Sequence, residues 1–246
     1  MPSKTTYIPN WLYFLSASIF YRLANAVVCV STGVFEDVTS LTLKLNNLVT
    51  IHNPITPPDL SIKKINNNNS NFDRAKSIIW VGRMDYPKNP HLALDAFLVL
   101  HKRKSGNYSI KFVGDGPLFD EMKQRVKSLN LDSVVSFTGF VDDPYIYMIN
   151  ADLLLLTSIR EGLPTVVIEA LYCDLKVVST NCSNGLNDIF VEGKFGALSS
   201  KNSPEEIAAL IEKSLTLSLP SGHQLKGSIP FRPETIFLKY KDLLGL

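Results

Sequence analysis

From residue 77 onward, short apolar runs alternate along the chain with segments whose apolar positions recur at helical spacing. The runs are near-continuous, as expected of strands covered on both faces of a sheet. They predict strands over 77–81, 109–113, 134–138, 152–156, 176–179 and 196–199. Helical patterns lie between them at 90–102, 117–129, 144–149, 164–171 and 204–215, and a last helix is predicted over 233–244. Alternation of this kind predicts an α/β fold, a right-handed parallel sheet with helices on both faces.

Before residue 77 the pattern is different. Residues from about 10 to 25 read as a helix, 26–30 as a short strand, and 48–51 as another. Ser31 or Thr32 is placed to cap a second helix between the two strands. The stretch from Ile55 to Asn71 holds Pro57-Pro58 and the polar run Asn66 to Asn71, and predicts a linker. The expected organisation is therefore a partial N-terminal α/β segment over 1–54, a linker over 55–76, and a Rossmann-like domain over 77–246. The aromatic stretch Trp11 to Tyr21 lacks the basic polar face of a membrane-surface helix, so packing against the rest of the fold is expected of it.

Composition narrows this only a little. Twenty-five Lys and Arg against 23 Asp and Glu leave a net charge of +2, which excludes the basic footprint of a nucleic-acid binder. Cys29, Cys173 and Cys182 have neither metal nor redox spacing and read as reduced thiols of a cytoplasmic protein. The opening residues Met1 to Thr6 lack the order of a secretion signal. No apolar run approaches the roughly 20 residues needed to span a bilayer. The four histidines are scattered, and none is assigned to a metal.

Ligands of open α/β sheets bind beyond the carboxyl ends of the strands. Gly82, Gly114-Asp115-Gly116, Gly139, Glu161-Gly162 and Asn184-Gly185 all fall at that edge. One such glycine is an ordinary turn; five at one edge predict a binding crevice. The richest stretch runs from Ser158 to Ala170. A turn at Glu161-Gly162 leads into a helix expected to begin at Pro164. The N–H groups of Leu163, Thr165 and Val166 there are free to meet a phosphate or a sugar hydroxyl. Glu161 and Glu169 flank the turn. Acid/base partners in glycoside hydrolysis face each other across the bond; two carboxylates on one loop-helix unit suit gripping hydroxyls. The alternative for Glu169 is a helix-start carboxylate favoured by the dipole.

Arg83 and Lys88 follow the first strand, with Asn89-Pro90 opening the next helix. Two fixed cations suit a diphosphate, Arg as a fork and Lys as a point charge; the alternative is two ordinary solvated residues. Gly114 to Pro117 is not a mononucleotide P-loop. Asp115 is expected to cap the helix at Pro117, and Asp143 the one at Pro144.

Four segments in order carry a resemblance: Ile79 to Arg83 with Lys88; Phe112 to Pro117; Phe137 to Val141; and Thr157 through Glu161-Gly162-Leu163-Pro164 to Glu169-Ala170. Together they resemble the family-4 retaining glycosyltransferases of the GT-B fold, whose signature is a pair of glutamates eight positions apart around such a loop. Upstream, Asn25 to Ser31 and Val49 to Pro54 resemble the end of that family's N-terminal domain and its hinge. The resemblance implies a nucleotide-diphosphate sugar as co-substrate, with uridine the base by family habit, and no cofactor or metal. It gives Arg83 and Lys88 the diphosphate leaving group, Glu161 the donor sugar and Glu169 the ribose. Gly82, Gly162, Leu163, Thr165 and Val166 would line the donor, and Phe140 and Val141 the base. It further implies transfer with retention to a saccharide or lipid-linked acceptor in polysaccharide or lipopolysaccharide biosynthesis, in the cytoplasm or peripherally at the inner face of the cell membrane.

The chain departs from the family in three places. Asp174 stands at a turn where the family often has glycine. The loop Asn181 to Asp188 has Asp188 for the usual glutamate and lacks its prolines. About 50 residues precede the hinge, far short of a full domain of roughly 100–150. The resemblance therefore implies the donor-binding half of a GT-B fold with a truncated N-terminal side. That leaves three readings: an active transferase, a donor-binding half served by a partner chain that supplies the acceptor domain, and an inactive truncated product. An epimerase of related fold would need catalytic groups from both domains.

Overall fold

The computed structural model describes residues 16, 19–41, 45–56, 75–103, 107–191 and 193–246. Among them lie two parallel sheets. The smaller pairs β1 (Val27–Cys29) with β2 (Leu48–Thr50), with helix α1 (Thr32–Leu41) between them. The Ser31 hydroxyl caps α1 by accepting from the N–H of Val34 at 3.1 Å.

The larger sheet has six strands: β3 (Lys76–Val81), β4 (Tyr108–Val113), β5 (Val135–Phe137), β6 (Leu153–Leu156), β7 (Lys176–Thr180) and β8 (Ala197–Ser199). Their spatial order is β5-β4-β3-β6-β7-β8, all parallel, which is the doubly wound Rossmann order. Strand alternation divides the core between two faces. Ile78, Trp80, Leu153 and Leu155 meet α2 (Pro90–Arg103), α3 (Phe119–Ser128) and α7 (Pro204–Thr216). Ile79, Leu154 and Leu156 meet α4 (Tyr145–Met148), α5 (Thr165–Tyr172) and α6 (Leu186–Phe190). Burial on both sides explains why these strands read as unbroken apolar runs. Two short elements, α8 (Leu225–Ser228) and a 3-10 turn (Ile229–Phe231), lead into α9 (Pro233–Leu244).

Several local expectations change. The helix after Pro164 begins at Thr165, and Pro164 itself is extended (φ −73°, ψ 93°). Asp115 caps no helix: its carboxylate accepts from the N–H of Gly116 at 2.6 Å, and α3 starts only at Phe119. Asp143 does cap, accepting from the N–H of Tyr145 at 2.9 Å. Half of the helix expected over 10–25 lies outside the described residues, as do residues 57–74 of the expected linker. Residues 19–23 are helical, but Ile19, Phe20 and Leu23 are exposed rather than packed on the fold. Asp174 adopts the left-handed turn (φ 58°), and its carboxylate accepts from the N–H groups of Gly222 and Gln224.

The start of α7 carries its own testable electrostatics. Ser203 caps the helix, and Glu206 at its third position accepts from the hydroxyls of Ser199 and Ser200 and from the N–H of Lys201. Those bonds pull the Glu206 pKa down to about 2. A depressed carboxyl contributes stability above its unfolded value of about 4.3, and that contribution fades as pH falls through the folded value. Glu206→Gln is therefore expected to lower Tm at pH 7, the gap to the native chain closing between about pH 4 and pH 2. A gap that stays constant across that range would contradict the assignment.

Candidate active site at the switch point

β3 and β6 are neighbours, but the chain winds away from them in opposite directions. The loops after them therefore diverge and leave a crevice. Four contacts tie these loops together. Trp80 Nε1 donates to Thr157 Oγ1 at 3.0 Å, and that hydroxyl donates to the carbonyl of Asn89 at 2.8 Å. Ile159 N–H donates to the carbonyl of Pro87 at 2.8 Å. Lys88 Nζ lies 2.5 Å from Glu161 Oε1, which also accepts from Ser158 Oγ at 2.7 Å. Glu161 Oε2 takes no hydrogen bond among the described residues.

Two cavities open at this edge. The first, of about 730 Å³, is lined by Gly82, Arg83, Gly114, Gly116, Phe140 and Val141 among others. Its walls are largely backbone and apolar carbon, while Arg83 stands at the mouth, 70% exposed, with Nε 3.6 Å from Asp85. The second, of about 600 Å³, is polar and lined by Glu161, Gly162, Asp37, Arg160, Asn181 and Asn184 among others. Lys88 joins them: its stem lies beside Gly82 and its ammonium on Glu161.

Glu169 sits half-buried in α5. Burial raises its carboxyl pKa, and the charge of Lys88 partly offsets the rise. Its charge in turn adds to the burial that raises Tyr145, and that takes Cys173 up to about 12. Lys88 thus acts on both glutamates of the pair. Among the described residues, no intramolecular acceptor takes the N–H groups of Leu163, Thr165 or Val166 at the start of α5. The structure therefore gathers Gly82, Arg83, Phe140 and Val141 at one cavity, Glu161 and Gly162 at the other, and Lys88 between them. Leu163, Thr165, Val166 and Glu169 follow directly on α5.

Residues 61–226, more than half of the chain, match the family described as glycosyl transferases group 1. The chain belongs to this family. Among relatives of this group 1 glycosyltransferase is the Campylobacter jejuni GalNAc-alpha-(1->4)-GalNAc-alpha-(1->3)-diNAcBac-PP-undecaprenol alpha-1,4-N-acetyl-D-galactosaminyltransferase. It is 36% identical over 129 residues, 52% of this chain and 35% of the relative. A second Campylobacter jejuni enzyme, an N-acetylgalactosamine-N,N'-diacetylbacillosaminyl-diphospho-undecaprenol 4-alpha-N-acetylgalactosaminyltransferase, is 30% identical over 182 residues. That match covers 74% of this chain and 48% of the relative. The chain thus matches between about a third and a half of the length of these curated relatives. Anabaena HepE, solved in complex with UDP, superposes with a TM-score of 0.80 over 99% of this chain and 69% of its own. At 21% identity it shares the fold.

The sequence did not foreshadow the contacts that reach Gly162 and α6 from the N-terminal segment. The Gly162 carbonyl accepts from Ser183 Oγ at 2.7 Å and from Ser31 Oγ at 3.2 Å. Asp188 accepts from the Thr32 N–H at 2.8 Å and its hydroxyl at 2.5 Å, and Asp188 Oδ2 lies 3.2 Å from His52 Nε2. Separations of 131 to 156 residues leave no local signal to read. Ser158 was different: it stands three positions before Glu161, inside the signature stretch.

Proposed function

We propose that this chain binds a nucleotide-diphosphate sugar, with UDP as the nucleotide, and transfers the sugar with retention to a saccharide or lipid-linked acceptor in cell-surface glycan biosynthesis. The observation that carries the reading is Lys88, set between Glu161 and Glu169 at the switch point, beside a glycine-walled cavity. In this reading the base lies against Phe140 and Val141, and Glu169 takes the ribose hydroxyls. The N–H groups of Leu163, Thr165 and Val166 receive phosphate and sugar oxygens, and Glu161 Oε2 a sugar hydroxyl. Arg83 and Lys88, rather than a metal ion, absorb the charge that develops on the departing diphosphate. That diphosphate helps take the proton from the incoming acceptor hydroxyl on the same face. The undecaprenol-linked acceptors in the names of the Campylobacter relatives favour work at the inner face of the cell membrane. The association we propose is peripheral; among the described residues no helix is long and apolar enough to cross a membrane.

A second reading keeps the donor site but takes the acceptor side from another polypeptide. It expects donor binding by the lone chain without transfer until the partner is added.

The test is a thermal-shift series with UDP. At 100 times its dissociation constant the ligand is expected to stabilise the chain by about 2.7 kcal/mol. Glu169→Ala is expected to remove most of that shift without lowering the Tm of the free protein. A shift as large as the native one would refute the ribose role, and no shift with the native chain would refute the reading.

A further inference from the structure

The proposed chemistry leaves one polar cluster unused, the junction between the N-terminal segment and α6. Asp188 is its centre. Its carboxylate takes both groups of Thr32 and faces His52, with side-chain exposures of 11% for Asp188 and 13% for His52. The His52 ring packs on the buried Phe231, ring centroids 4.9 Å apart, so the imidazole is wedged rather than free to swing. Burial pushes the Asp188 carboxyl up, but the bonds from His52 and Thr32 outweigh it and hold the group below the usual carboxylate value. Asp188 also places a negative charge at the start of α1, where the helix dipole favours it.

The arrangement of the neighbours matters more than the strength of the bonds. Ser31 precedes Thr32, and its hydroxyl reaches the carbonyl of Gly162. At Gly185 a side chain would lie 2.7 Å from that same carbonyl and 2.9 Å from Ser31 Cβ, so the three backbones meet with no room to slide. Gly162 follows Glu161, whose own N–H is held by the carbonyl of Cys182 in the adjoining loop. The Glu161 turn is thus fastened from two sides: by Cys182 and the Ser183 hydroxyl in the adjoining loop, and by the Ser31 hydroxyl, which only the seated N-terminal segment can bring.

We propose that Asp188 is a positioning residue: by seating Thr32 and His52 it brings the Ser31 hydroxyl onto the Gly162 carbonyl and so sets the turn that carries Glu161. The positioning stands on geometry alone; its effect on transfer rests on the proposed function.

The experiment compares the full chain with Asp188→Ala and with Ser31→Ala, which removes the Gly162 contact together with the cap on the Val34 N–H, so exchange over α1 is followed as well. Three quantities are read: amide hydrogen exchange over residues 158–163, UDP affinity, and the split between kcat and KM. In both variants the turn is expected to exchange faster than in the native chain while β3 and β4 keep their protection. UDP affinity is expected to hold, and kcat to fall on the order of 10- to 100-fold, as when a reacting group is displaced by about 1 Å. Unchanged exchange in the turn for Ser31→Ala overturns the proposal. So does a loss of kcat matched by an equal loss of UDP affinity, because the junction would then shape the binding site as a whole. If the native chain neither binds UDP nor transfers sugar, the functional reading fails, and the exchange data alone decide the positioning claim.

Discussion

Lys88→Ala is expected to lower turnover by roughly 10²–10³-fold if, as proposed, it stabilises the charge that develops on the leaving diphosphate. Lys88 is tied to Glu161 at 2.5 Å and also acts on Glu169. Removing it leaves Glu161, only 16% exposed, with the Ser158 hydroxyl as its remaining side-chain partner. It also removes the influence that restrains the pKa of Glu169, which burial already raises. The Glu169 carboxyl then rises further, so its ionised form is present only at higher pH. UDP binding by the variant is accordingly expected to weaken on acidification at a higher pH than in the native chain. Initial rates with a UDP-sugar and UDP titrations at several pH values check both points. Turnover within about threefold of native would remove Lys88 from the leaving-group role.

Gly114→Ala is expected to damage the fold and the first cavity together. Gly114 has φ 132°, and a Cβ there would stand 1.9 Å from the carbonyl oxygen of Gly82. No side-chain adjustment relieves that clash, because both groups are backbone. The Gly114 N–H also donates to the carbonyl of Gly139 at 3.0 Å, so pushing Gly114 aside disturbs the ends of β3 and β5 at once. Strain and overpacking together cost on the order of 3 kcal/mol, which in a chain of this size lowers Tm by roughly 6–12 °C. UDP-dependent stabilisation is expected to vanish with it. Gly139→Ala is the control. Gly139 also has a positive φ, 74°, but a Cβ there meets nothing within 4 Å. Its cost is the left-handed conformation alone, about 1 kcal/mol. Equal losses in the two variants would show that conformation, and not the close approach to Gly82, sets the requirement.

The sequence showed the repeating parts of this fold best. All six strands of the larger sheet were visible: β6, buried throughout, is an unbroken apolar run, β4, β5 and β8 keep an apolar majority around single polar residues, and Asn89 and Asp143 announced helix starts by residue type. Helices α6 and α8, of five and four residues, are too short to display a period and were not foreseen. Asp115 misled because an aspartate two positions before a proline looks like a cap, whereas its carboxylate turns back on the neighbouring Gly116 N–H. At the site, the residue types along Gly82 to Lys88 and Glu161 to Glu169 were legible as a group, but their pairing was not. That Lys88 grips Glu161 depends on β3 and β6 lying side by side, which only the sheet order supplies. The Asp188 junction was the least legible part: Asp188 and the Ser31-Thr32 cap each stood out singly, but nothing in the sequence joined them across 156 residues.

That closure has a consequence for the chain as it is made. Thr32 waits for Asp188, which is joined to the chain 156 residues later. At synthesis rates of about 5–20 residues per second the interval is roughly 8–30 s. During it, β1 and β2 have each other but not the surface that seats them. The segment around Thr32 is thus made well before its seat and settles late.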